Sequence, residues 1–260
     1  MYVYETGGTI TKFAINTIDS IIFYKAVQGV FTCGTSLVSD FDGNTYKTVS
    51  IGTQCWMAEN LNIGTKILGT ANQANNSIIE KYCYNDADSN CTTYGGLYQW
   101  AELVQYLNGA TNTSTWFPVP TGNIHGICPN GWHIPTDAEW TTLEIYLVTN
   151  GYNYDGTTVG NKLAKSLADT TLWYTSAVTG AVGNTDYSAK RNITGFTGLP
   201  GSSRGSGGSY FSLTYQGLWW SATEYDPNKG FCRSMSSSQV SVNSGNSYKD
   251  TGFSVRCLKD

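Results

Sequence analysis

With 260 residues, 29 Gly, 13% charged side chains, 13% aromatics and a net charge of −4, the chain is long enough to bury a large core. It has no basic field to attract phosphates, so nucleic-acid binding is not expected, and no run of 18 apolar residues exists to span a membrane. A turn-rich, aromatic-rich, weakly charged composition of this kind fits an extracellular recognition module better than a helical cytosolic enzyme.

The opening MYVYETGGTITKF lacks both a charged and an apolar leader region. No signal peptide is visible, and a cytosolic location stays open beside an extracellular or cell-surface one. Residues 1–32 alternate loosely between apolar and polar positions, as in TITKFAI and SIIFYKAV, which predicts two or three strands of an N-terminal appendage. The segment DFDGNTYKTVSIGTQCWMAENL predicts a hairpin, with Asp42, Gly43 and Asn44 in the turn and Tyr46, Val49 and Ile51 along the strand that follows.

In GGLYQWAELVQYLNG, Leu97, Trp100, Ala101, Val104 and Leu107 fall at helical spacing with Gly109 as a stop, so an amphipathic helix is expected. A second helix is announced by IPTDAEWTTLEIYL: Thr136 and Glu139 form a capping box, and Trp140, Leu143 and Leu147 make the buried stripe. GNKLAKSLAD predicts a shorter third helix with Leu163 and Leu167 inward. Beyond residue 170 the apolar pieces are short and separated by Gly, Ser and Asn. The expected class is α+β, an irregular antiparallel sheet carrying long excursions.

Seven cysteines, at 33, 55, 83, 91, 128, 232 and 257, include no C-x-x-C pair, which favours disulfides and an oxidising compartment over a zinc site. Spacing alone leaves their pairing open. Calcium is considered at two places. Asp40, Asp42 and Asn44 stand at EF-hand-like spacing, but Ile51 holds the twelfth position where a glutamate would close the site. Asp86, Asp88 and Asn90 fail the same test. Both stretches read as turns, and neither a metal nor a cofactor is expected. Trp56, Trp100, Trp132 and Trp140 are expected in the core. Trp116 and Trp173 stand in loop-like contexts and are candidates for exposure, and one of Trp219 and Trp220 is expected to face a binding surface.

The blocks DGNTYKTVSIGTQCWMAENLN, CYNDADSNCTTYGGLYQWAE, CPNGWHIPTDAEW, GLPGSSR, WWSATEY and GFSVRCLKD, in this order, closely resemble the Fibrobacter succinogenes major paralogous domain over residues 33–260. The resemblance implies a C-type-lectin-like fold of the formylglycine-generating-enzyme subgroup. Such a domain has two main helices, a small mixed antiparallel sheet, paired N- and C-terminal strands and a long loop-rich C-terminal half. It also implies disulfides Cys33–Cys55, Cys83–Cys91 and Cys128–Cys257, leaving Cys232 over. His125, Cys128 and His133 suggest a cysteine–histidine nucleophile at first sight, but the resemblance places His133 in framework and Cys128 in a disulfide. Cys232 and Cys257 echo the cysteine pair of the formylglycine-generating enzymes without its motif context. No catalytic residue is therefore assigned.

Domains of this kind serve as variable proteins of diversity-generating retroelements, in which template adenines are miscopied and the C-terminal coding region is rewritten. Residues 202–251 are rich in the Tyr, Ser, Asp, Gly and Asn that such rewriting yields and that binding loops favour. The resemblance therefore implies a ligand-binding surface for a protein or other macromolecule. Its candidates are Ser206, Ser209, Phe211, Trp219, Tyr225, Asp226, Asn228, Phe231, Cys232, Ser234, Ser236, Ser238, Ser241, Asn243, Ser244, Asn246, Tyr248 and Asp250. Met235, Val240, Val242 and Lys249 are the expected framework among them. The alternative is a surface domain of fixed specificity for polysaccharide, or an adhesion domain.

Overall fold

The computed structural model describes residues 2–4, 10–12 and 30–260. The chain divides into two compact units, Met1–Phe31 and Thr32–Asp260. In the first, β1 (Tyr2–Tyr4) pairs antiparallel with β2 (Ile10–Lys12). The strand expected in SIIFYKAV lies outside the described residues.

The second unit begins with β3 (Val38–Ser39) and β4 (Thr45–Tyr46), a hairpin closed at the predicted turn, where Gly43 takes a φ of +84°. Asp40 fastens that turn. Its carboxylate accepts bonds from the Asp42 and Asn44 backbone N–H groups, the Asn44 amide and the Tyr46 hydroxyl, at 2.6–3.0 Å. Next come β5 (Thr48–Ile51) and β6 (Gln54–Met57), an antiparallel pair, then β7 (Thr65–Lys66) and β8 (Glu80–Lys81), a parallel one. Helix α1 (Asp88–Tyr94) stands where a turn was expected, so Asp88 and Asn90 are helical.

The amphipathic helix expected over residues 97–107 shrinks to the single turn α2 (Trp100–Leu103). Two causes are visible. Leu97 and Tyr98 are taken into β-bridges with Tyr82 and Phe253, and Gln105 and Tyr106 turn left-handed with φ near +50°. The apolar stripe survives in part, with Leu97, Trp100, Ala101 and Val104 buried and Leu107 exposed. After β9 (Trp132–His133), α3 (Asp137–Thr149) starts on the predicted capping box: the Glu139 N–H donates to Thr136 Oγ1 at 3.2 Å, and the Thr136 N–H donates back to Glu139 Oε2 at 2.8 Å. The third helix is one turn, α4 (Ala164–Leu167), with Leu163 and Leu167 inward.

The C-terminal part is more regular than its composition suggests. β10 (Ser203–Arg204) and β11 (Tyr210–Phe211) form a short hairpin, and β12 (Gln216–Asp226), β13 (Lys229–Ser236) and β14 (Asn243–Tyr248) form an antiparallel three-stranded sheet. β15 (Leu258–Lys259) then inserts between β6 and β9, giving a four-stranded sheet in the order β5-β6-β15-β9. Few helices with several small, mostly antiparallel sheets make this an α+β unit.

The core is built on aromatics. Trp56 packs on Trp140 at 4.7 Å between ring centroids, with Phe196 about them and Trp219 beyond it. Arg256 is buried among these residues, its guanidinium 4.1 Å from the Phe196 ring centre and donating to Asn60 Oδ1 and to the Phe196 and Thr197 carbonyls. Burial lowers its pKa to about 9. The three disulfides are Cys33–Cys55, Cys83–Cys91 and Cys128–Cys257, as the resemblance implies, and Cys232 is a free, buried thiol. Such bonds persist in oxidising compartments. Among the described residues no helix is long and apolar enough to cross a membrane.

Candidate binding surface

The three-stranded sheet decides which candidates reach solvent. Side chains alternate between its faces, and register partners share a face. Phe231 lies opposite Asn246, and Lys229 opposite Tyr248, so these four stand on one face at the β12–β13 hairpin end. Tyr225 joins them, its ring edge-on to Phe231 at 5.2 Å, and Lys229 Nζ lies 5.2 Å from the centre of the Tyr248 ring. The turn beside them is set by Asp226, whose Oδ1 accepts the Asn228 N–H at 2.8 Å. Tyr225 is 52% exposed and Tyr248 58%. Six candidates thus form one patch: Tyr225, Asp226, Asn228, Phe231, Asn246 and Tyr248.

Two buried cations hold this patch in place. Further along the same face Arg233, opposite Ser244, turns inward to α3, where it pairs with Asp137 and, at 2.6 Å, with Glu144 Oε1. Burial opposes the guanidinium charge, but the two carboxylates outweigh it and its pKa is raised. Lys249, fully buried, donates to Glu224 Oε1 at 2.5 Å and to the Pro227 and Ser114 carbonyls, with the Trp100 ring 4.5 Å away. Its backbone N–H also bonds to the Asn228 carbonyl at 2.8 Å. Lys249, Met235 and Val242 are framework, as expected, and Val240 is half-buried.

The remaining candidates go elsewhere. Ser234, Ser236 and Asn243 fall on the opposite face, because Ser234 pairs with Asn243 and Leu218, and Ser236 with Gln216. Ser238 and Ser241 lie in the loop that follows, Ser241 donating to Asn243 Oδ1 at 2.9 Å. Ser206, Ser209 and Phe211 belong to the β10–β11 hairpin, tied to Asp250 through Arg204, which donates to the Ser206 and Asp250 carbonyls.

Two candidates are buried and are corrected. Trp219 is 1% exposed, with its Nε1–H donating to Asn60 Oδ1 at 2.8 Å, and Cys232 is 6% exposed beside Trp220 in the ladder. Trp220 is buried too, against Phe253 at 4.4 Å, because β12 is covered on both faces. Trp116 and Trp173, expected as candidates for exposure, are also buried. Burial drives the Cys232 pKa up to about 12, so the thiolate is scarce.

Two features escaped the sequence reading. Lys229 belongs to the patch, and its place opposite Tyr248 was knowable only from register. Tyr215 stacks on Tyr174 at 4.3 Å, both partly exposed, next to the Ser236 end of the sheet. No alternation marks either tyrosine.

His133 is held on both ring nitrogens, by Glu139 at 3.0 Å and Asp260 at 2.7 Å. Burial alone would lower its pKa, but the two carboxylates outweigh it and raise it. Among the described residues no group of three His, Cys, Asp or Glu is placed to hold a metal ion.

A family model described as the Fibrobacter succinogenes major domain matches residues 49–259. No curated protein and no solved structure matches the chain.

Proposed function

Because the chain belongs to the Fibrobacter succinogenes major domain family, we propose that it is a non-enzymatic binding module with a C-type-lectin-like fold. Its contact surface is the hairpin-end patch of Tyr225, Asp226, Asn228, Phe231, Asn246 and Tyr248, extended by Lys229. The ligand is a protein or other macromolecule met outside the cytosol. In the sharper form of this reading the chain is the variable protein of a diversity-generating retroelement.

One observation supports it above the rest. The polar stretch is an ordered strand pair in which outward positions carry Tyr, Phe, Asn and Ser while Arg233, Met235, Val242 and Lys249 anchor it from within. Outward residues of that kind change identity at little cost to the fold, within about 0.5 kcal/mol each. Tyrosine supplies rigid contact area and the small residues supply adaptable hydrogen bonds. The fixed-specificity polysaccharide reading loses ground with the burial of Trp219 and Trp220.

The test is genomic. A second copy of the codons for residues 202–257, differing only where the copy has adenine and lying beside a reverse transcriptase, is the expected finding. A locus with neither removes the diversification reading and leaves a surface of fixed specificity.

A further inference from the structure

A cleft of about 650 Å³ opens among residues 43–46, 59–62, 91–95, 169–172 and 197–199, none of which belongs to the patch. That volume is in the range of small-ligand sites. Its lining offers free acceptors. Glu59 Oε2 is committed to the Lys47 N–H at 2.8 Å, and Asp169 Oδ1 to the Thr171 N–H and hydroxyl at 2.7 and 2.6 Å. Among the described residues the second oxygen of each carboxylate has no protein partner, and neither carboxylate makes an ion pair. The bonds they do make fix their rotamers.

Tyr94 is an independent sign. It is 7% exposed and lines the cleft, and among the described residues its hydroxyl bonds to no protein group. Its pKa is raised, with burial the sole cause, as befits a hydroxyl without a partner. Leu172 and Leu199 supply apolar contact beside it.

Charge selects the ligand. Arg256 lies behind the lining residues Asn60 and Thr197, bonded to both, and Glu59 and Asp169 are the charged groups that act on it. Two carboxylates against one guanidinium leave the cleft anionic. We propose that the cleft is a binding site for a small amine-bearing ligand of monosaccharide size, its ammonium held by Glu59 and Asp169 and a polar group by the Tyr94 hydroxyl.

The test is titration of isotope-labelled protein with glucosamine, followed by amide chemical shifts, with glucose as the uncharged counterpart of the same shape. The expected result is saturable shifts in residues 91–95 and 169–172, binding at least about tenfold weaker for glucose, and weakening as salt is raised. Asp169→Asn and Glu59→Gln each weaken binding about tenfold, and Tyr94→Phe, which removes one hydroxyl and leaves the ring, weakens it severalfold. Absence of saturable shifts overturns the proposal. So does equal binding of glucose, or binding that Tyr94→Phe and salt leave unchanged. No cleft residue lies within 202–251, so Tyr248→Ala leaves glucosamine binding intact whether or not the patch binds a macromolecule.

Discussion

Glu102 is fully buried in α2, where Oε1 accepts the Glu80 N–H at 3.0 Å and the Gln105 amide at 3.3 Å. Burial outweighs those bonds and pushes its pKa up from 4.5 to about 7. The folded state therefore binds this proton more tightly than the unfolded chain does. Its contribution to stability is complete below pH 4.5 and is lost as pH rises through about 7, a loss on the order of 3 kcal/mol. Denaturant melts of the wild type and Glu102→Gln across that range will show the wild type losing ground to the variant as pH rises; parallel curves would contradict the burial argument. Cys232 makes a second prediction at this scale. A thiol with a pKa near 12 and 6% exposure stays unmodified by a disulfide reagent in the native protein and reacts as a single thiol once denaturant is added.

At the scale of elements, Arg233 is the tie between β13 and α3. Arg233→Ala leaves Asp137 and Glu144 without their partner, a loss of about 3–5 kcal/mol in a denaturant melt. Ser244→Ala and Asn246→Ala, on outward positions of β14, stay within about 0.5 kcal/mol. Local signals were legible in the sequence: Thr136, Glu139 and the Trp140, Leu143, Leu147 stripe specify α3 within a dozen residues. Non-local ones were not. The helical spacing from Leu97 to Leu107 is real, yet Tyr82 and Phe253 claim the backbone at its start. The strand character of β14 is invisible in NSGNSY because its order comes from pairing with β13 and from Lys249 behind it. Burial of both Trp219 and Trp220 defeats the alternation rule, since covers on the two sides of β12 arrive from Phe196 and Phe253.

For the whole molecule, the disulfides differ most in reach. Cys128–Cys257 spans 129 residues and Cys83–Cys91 only 8. The chain-entropy relation gives about 5 kcal/mol for the first and about 2.5 for the second. Replacing both cysteines of each pair by alanine, one pair at a time, will lower the melting temperature more for Cys128–Cys257; the reverse order would place the stabilisation in the native state instead. Their pairing was legible only through the family resemblance, as spacing admits other connections. The cleft was not legible at all, because five separated segments build it and the blocks that cover three of them mark the family, not a ligand.

The position of β15 has a genetic consequence. Arg256, Cys257 and the strand that joins β6 to β9 are all encoded downstream of residues 202–251. A premature stop or a shift of reading frame anywhere in the codons for residues 202–251 deletes the centre of the four-stranded sheet, the long-range disulfide and the buried guanidinium together. Missense changes at outward positions leave all three untouched. The fold itself thereby separates two kinds of coding change: substitutions at outward positions leave a chain that closes, while frame errors yield chains that cannot.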